Sequence, residues 1–154
     1  MFRIQPLSMV PFQPLFAQTD AQLRSRHARR VVAESPDGYP CRVSLINARP
    51  GETLLLLPWE HQGNDTPYRA SGPVFVRKNA QPADPRKGEI PAMLRGRSLS
   101  VRAYGREHLL VDARLCAGTQ LEAAIATLFA DAGVDYLHVH SSGYGCYLCE
   151  VVRA

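Results

Sequence analysis

The sequence predicts an α+β fold: a largely antiparallel sheet backed by one main helix at about 119–132, with a partly closed barrel as the alternative closure. Three observations carry this expectation. Short alternating runs bounded by Gly, Pro, Asn and Asp recur along the chain, which is the pattern of strands joined by turns. Only one stretch has a long apolar stripe at helical spacing: Leu121, Ala124, Ile125, Leu128 and Phe129. The strands cluster ahead of that helix instead of alternating with helices, so the sheet should be antiparallel.

Taken in order, residues 1–18 carry Pro6, Pro11, Phe12, Pro14 and Phe16 and read as an extended arm packed on the domain. Thr19 and Gln22 fit a capping box, opening a short helix to about His27. Arg30–Glu34 reads as a strand and Pro36-Asp37-Gly38 as a turn. Cys41–Asn47 alternates, with Cys41, Val43 and Leu45 facing one way and Arg42, Ser44 and Ile46 the other. Thr53–Leu57 is a continuous apolar run, as in a strand buried on both faces. Pro58–Gly72 reads as a long loop holding Trp59, His61, Tyr68 and Arg69. Val74–Arg77 is a strand, and Asn79–Glu89, with Pro82, Pro85 and Gly88, a mobile excursion. Pro91 starts a helical turn to Arg95. Leu99–Tyr104 and Leu109–Arg114 form a hairpin across Gly105–His108. Thr119 and Glu122 suggest a second capping box for the main helix, and Gly133 its stop.

The last hairpin concentrates the chemistry: Tyr136-Leu137-His138-Val139-His140-Ser141-Ser142-Gly143-Tyr144-Gly145-Cys146-Tyr147-Leu148. A five-residue turn, Ser141–Gly145, sets His140 opposite Cys146. Period-two alternation puts His138 and His140 on one face. If the strands share one sheet, Leu99, Val101, Ala103, Leu109, Val111, Ala113, Leu137 and Val139 lie under the helix with Cys41, Val43 and Leu45. The opposite parity collects Arg42, Ser44, Ser100, Arg102, Asp112, Tyr136, His138, His140 and Cys146.

Composition bounds the function. The 154 residues suit a single domain spanning 1–154, and 45% hydrophobic residues suffice for a packed core. The net charge of +4 is mild and no long Lys/Arg run occurs, which argues against nucleic acid as a partner. No apolar run approaches a membrane span and no cleavable leader is visible, so no membrane partner is expected and the cytoplasm is the expected location. There Cys41, Cys116, Cys146 and Cys149 should be reduced. The sequence indicates no oligomeric state.

Several blocks together resemble an uncharacterised bacterial family, domain of unknown function 1203. They are Gly38–Leu45, Pro50–Leu56, His61, Thr66–Arg69, Phe75–Arg77, Arg97–Ala103, Asp112-Ala113, Tyr136–His140 and Gly145–Tyr147. The resemblance implies no established activity. It adds His61 and Arg69 to the polar-face residues.

Three function classes follow. Binding of a small anionic ligand on an Arg/His-lined sheet face needs the fewest assumptions, with Arg42, Ser44, His61, Arg69, Arg102, His138 and His140 as ligand-binding candidates. A cysteine/histidine enzyme acting on a small anionic substrate would use Cys146 as nucleophile and His140 as base. The third class is a structural or protein-interaction module. His-x-His followed by Cys-x-x-Cys suggests zinc, but Cys146 and Cys149 are an odd offset apart on a strand and should diverge. No metal and no cofactor is therefore expected, with the set His138, His140 and Cys146 as the weighed alternative.

Overall fold

A computed structural model describes residues 1–154. The fold is α+β, with mostly antiparallel sheets. The strands are β1 (Phe2–Gln5), β2 (Arg29–Val32), β3 (Thr53–Gln62), β4 (Ala70–Arg77), β5 (Ser98–Tyr104), β6 (Leu110–Ala117), β7 (Tyr136–Ser141) and β8 (Tyr147–Arg153). They form two sheets and close no barrel: a five-stranded sheet in the order β1-β8-β7-β5-β6, and a three-stranded sheet, β2-β3-β4. The α-helices are α1 (Asp20–Ser25), α2 (Ala92–Arg95) and α3 (Leu121–Phe129). No helix is long and apolar enough to cross a membrane.

Each sheet has its own apolar filling. On the five-stranded sheet, Leu99, Val101, Ala103, Leu137 and Val139 meet Leu121, Ile125 and Leu128 of α3 in a cluster of 19 buried residues. Phe129 packs against this cluster but stays half-buried, with the Arg153 guanidinium 4.5 Å over its ring. The three-stranded sheet buries Leu55 and Leu57 with Phe12, Leu15 and Leu23 of the N-terminal arm and α1. Leu54, on the opposite face of β3, enters a third small cluster with Ala33 and Ala48. The apolar run in β3 is therefore covered on both faces, as expected of a central strand.

Local signals and tertiary contacts divide the helices. Thr19 caps α1 with the full reciprocal box to Gln22. The box expected at Thr119 does not form. The chain enters α3 through a 3₁₀ turn, Gly118–Gln120, and the helix begins at Leu121 without a side-chain cap. Gly118 donates its N–H to the Arg97 carbonyl at 2.7 Å. A Cβ there would lie 1.9 Å from the Leu94 carbonyl oxygen. This close approach to α2 fixes the entry to α3 and overrides the local cap.

Three other expectations are corrected. Residues 41–47 are a tight turn, not a strand: Leu45 donates to the Cys41 carbonyl and stands at φ 51°. The alternation of Cys41, Val43 and Leu45 reflects burial in two different clusters. On β6, a bulge beside Tyr104 shifts the register so that Val101 faces Arg114 and Ala103 faces Asp112. Leu109, Val111 and Leu115 are consequently exposed on this edge strand. Asp112 pairs with Arg114 on the same strand, 3.7 Å away, and not with Arg102. Finally, the Pro-rich excursion is tied down: Ala83 donates to the Val43 carbonyl and Gly88 to that of Phe2, both backbone bonds.

Leu128 is 2% exposed in the larger cluster. Leu128→Ala should destabilise the protein by about 2–5 kcal/mol in urea unfolding; a loss within error would contradict its place in the core.

Candidate functional site

Between the two sheets lies a seam of polar and aromatic side chains. The β5–β7 register sets Arg102 opposite His138, Ser100 opposite His140 and Tyr104 opposite Tyr136, all on the face turned away from α3. His138 is 2% and His140 0% exposed. His61 joins them from the three-stranded sheet. It does not sit in a loop, because β3 runs on to Gln62, and the hairpin to β4 is correspondingly shorter. The pairing jumps from Glu60–Ser71 to Gln62–Ala70, which leaves His61 as the extra residue of a β-bulge. Bulges re-aim side chains, and this one brings the His61 ring centroid to 5.0 Å from that of His140 and 5.9 Å from that of His138.

A second bulge corrects the hairpin register. Val139 pairs with Cys149, but His140 pairs with Tyr147, so Tyr147 and not Cys146 stands opposite His140. The Tyr147 ring stacks on His61 at 5.2 Å and 6°. His140 Nδ1 lies 2.9 Å from the Gly145 carbonyl, so this nitrogen carries the proton and Nε2 is left with its lone pair. His138 Nε2 lies 3.6 Å from the Glu150 carboxylate. Gln62 donates to the Tyr136 hydroxyl at 2.8 Å, which is also 2.9 Å from His108 Nδ1. Asn64 in turn donates to Gln62 at 2.8 Å.

One nitrogen each from His61, His138 and His140 can lie within 4.8 Å of the others. In the whole chain, four buried side-chain polar atoms have no hydrogen-bond partner. Three of them belong to these rings: His61 Nδ1, His138 Nδ1 and His140 Nε2. Burial holds His140 down to about 3 and His61 down to about 4, so both imidazoles are neutral at ordinary pH.

Arg42 does not stand beside the histidines. It is 2% exposed in the 41–47 turn. Its Nε donates to the Tyr147 carbonyl at 2.7 Å and its Nη1 to the Pro40 carbonyl. Burial lowers its pKa to about 10, which leaves it charged at neutral pH. Arg42 lines a cavity of about 570 Å³ together with Arg97, Cys146, Tyr39, Phe75 and Tyr144. None of the three histidines lines that cavity, and neither does any carboxylate. No ion pair in the chain involves Arg42 or Arg97. The expected single pocket is thus two neighbouring sites, with Tyr147 common to both: its carbonyl holds Arg42 and its ring stacks on His61.

The remaining candidates lie elsewhere. Arg69 makes a bidentate pair with Glu60, at 3.0 and 3.1 Å, on the open surface. Ser44 accepts from Arg77 at 3.3 Å, beside the Arg77–Glu52 ion pair. Cys149 is fully buried in the α3-side cluster, with its thiol pushed up to about 12 by burial, whereas Cys146 lines the arginine cavity. The two cysteines therefore diverge. Sequence reasoning did not single out Tyr147, Gln62, Arg97, Tyr39 and Phe75. The site-face parity of Tyr136 points to the aromatic layer, but nothing local marks Arg97.

Residues 38–153 match the family model described as a protein of unknown function, DUF1203. The chain belongs to the DUF1203 family. No curated protein and no solved structure matches it. In this DUF1203 protein the match includes the three histidines, both arginines and every wall residue of the arginine cavity except Ser35. The N-terminal arm with β1, then α1 and β2, precede it.

The neutral histidines set a pH dependence. Their folded pKa values lie below the ordinary 6.5, so between pH 6.5 and about 4 the unfolded chain binds more protons than the folded one. Stability is then full above pH 6.5 and falls as the pH drops through this window, by up to about 1.4 kcal/mol per pH unit for the buried His140 and by less for the half-buried His61, whose charge water partly screens. In chelator-treated DUF1203 protein, urea unfolding between pH 6.2 and 5.2 should show this slope, and His61→Gln should make it measurably shallower, by less than one full imidazole's share. Equal slopes in the two proteins would contradict a buried neutral His61.

Proposed function

We propose that this DUF1203 protein binds a small organic anion in the Arg42/Arg97 cavity. The observation that carries the reading is a pair of guanidinium groups lining one cavity with no carboxylate on its walls and no ion-pair partner for either. A cation in a low-dielectric setting is costly without a counter-charge, and an incoming carboxylate or phosphate supplies one. Arg42 gives its Nε and Nη1 to backbone carbonyls, and its Nη2 has no bond within the protein. The walls are apolar and aromatic, from Tyr39, Phe75, Leu56 and Leu148. A cationic end and apolar walls suit an aromatic or branched aliphatic carboxylate better than a bare inorganic ion.

Cys146 lines the same cavity, which makes it a reporter of occupancy. The cysteine–histidine enzyme reading has less support, because His140 faces Tyr147 across the strands and does not line the cavity that holds Cys146.

Benzoate and inorganic phosphate compared by thermal shift test the proposal, with benzoate expected to stabilise more. Bound benzoate should also slow iodoacetamide alkylation of Cys146. Ser35 is an exposed wall residue, so Ser35→Trp fills the cavity without touching either arginine. It should weaken benzoate binding at least about tenfold, equivalent to about 1.4 kcal/mol, at an unchanged melting temperature. Arg42→Lys should weaken binding and lower the melting temperature too, because the guanidinium also holds the Tyr147 carbonyl. Benzoate stabilisation that survives Ser35→Trp would overturn the reading.

A further inference from the structure

We infer that His61, His138 and His140 form a binding site for one divalent transition-metal ion, zinc or a close relative, held by one nitrogen from each of the three rings with at least one coordination position open. The inference does not rest on the anion reading, since none of these residues lines the Arg42 cavity.

The first support is the clustering of unmet need. Leaving a buried polar atom unpaired is costly, and native proteins keep such atoms few. Here three of the chain's four stand on three adjacent rings. Each is an imidazole nitrogen, and one nitrogen from each ring can come within 4.8 Å of the others. Around a zinc ion at about 2.0–2.1 Å from each nitrogen, tetrahedral ligand atoms stand roughly 3.4 Å apart. Ring rotations of modest size close that gap. A hydrogen bond among the rings cannot satisfy all three, because each ring nitrogen carries either one proton or one lone pair, so pairing two of them leaves the third without a partner.

The second support is how the rings are held. A metal-bound histidine generally gives its other nitrogen to a carbonyl or a carboxylate, which fixes the tautomer and the ring orientation. His140 does this through Nδ1 and the Gly145 carbonyl at 2.9 Å. His138 has the Glu150 carboxylate 3.6 Å from Nε2. His61 is stacked flat on Tyr147. Both sheets contribute a ligand, and both do so next to a β-bulge.

The chemistry of the set selects the ion. Three nitrogen ligands without a carboxylate or thiolate suit zinc, copper, nickel, cobalt or iron, and do not suit calcium or magnesium. Two charged groups face the site. Glu150, on β8, offsets part of the ion's charge from behind His138. Arg102, on β5 opposite His138, opposes the ion and favours a negatively charged fourth ligand, hydroxide or a carboxylate. His61 is only half-buried, so the cluster is one side chain from solvent.

The full chain, stripped by chelator and dialysed, should bind one equivalent of zinc by calorimetry and melt at a higher temperature with it. Cobalt(II) should give the intense visible bands of a four- or five-coordinate ion, without thiolate charge-transfer absorption. Cys146→Ser should leave both results unchanged. His61→Gln, at the half-buried ligand, should weaken cobalt binding by tenfold or more and change the spectrum. Glu150→Gln should weaken it by roughly 10–100-fold while keeping the three-nitrogen spectrum, a split that a merely structural glutamate would not produce. If the wild-type chain takes up no cobalt with two equivalents present, or if binding survives His61→Gln or is lost in Cys146→Ser, the site is not this one. The wild-type spectrum decides the matter even should a histidine variant fail to fold.

Discussion

The structure depends on how two sheets with separate apolar fillings are joined across a seam that is not apolar. The Arg42 guanidinium is central to that joint. It sits in a turn beside the three-stranded sheet, where its own N–H donates to the Phe75 carbonyl of β4, and its side chain donates to the Tyr147 carbonyl at the start of β8. Tyr147 then stacks on His61 of β3. Farther along, Gln62 of β3 donates to Tyr136 of β7. These directional contacts fix the registration of the sheets. Dispersion between two greasy faces would fix their distance but not their sliding, because hydrophobic attraction has no preferred direction. Buried polar groups can confer such specificity while adding little net stability.

The same seam sets the chemistry. Burial keeps His61 and His140 neutral, and Tyr104, Tyr136 and Tyr147 surround the three histidines with aromatic walls. Lone pairs in such an enclosure act on whatever enters without competition from water. The arginine cavity has the opposite character: a fixed positive charge and an unfilled volume. Tyr147 belongs to both through different atoms, so a movement of β8 would be felt in each. A nest of imidazoles and an arginine-lined cavity without carboxylates thus lie a side chain apart.

Much of the fold was legible in the chain. The Thr19–Gln22 box, the β5–β6 and β7–β8 hairpins, the doubly buried run in β3 and the apolar stripe of α3 are all local patterns, and each formed. So did the shared face of Arg102, His138 and His140, since alternation on an unbroken strand cannot place them otherwise. The errors occurred where one residue was inserted or one contact came from afar. Bulges at His61, in the β7–β8 pair and beside Tyr104 shift parity by one, and nothing in the flanking residues announces them. Residues 41–47 alternate because they touch two cores in turn. The Thr119 box lost to the approach of Gly118 to α2.

By itself, then, the sequence determined the fold class, most strand positions, the helix that covers the larger sheet and the face on which the chemistry of β7 would stand. These follow from periodicity and capping, which act over a few residues. Only the tertiary structure decided that the strands divide into two sheets, that His61 completes a triad with His138 and His140, and that Arg42 turns inward to Tyr147 and a cavity shared with Cys146. The physical reason is that each of these depends on a bulge or a buried hydrogen bond between residues far apart in the chain. The free energy of such a contact is set by what the whole fold removes from water, and no local window of sequence contains it.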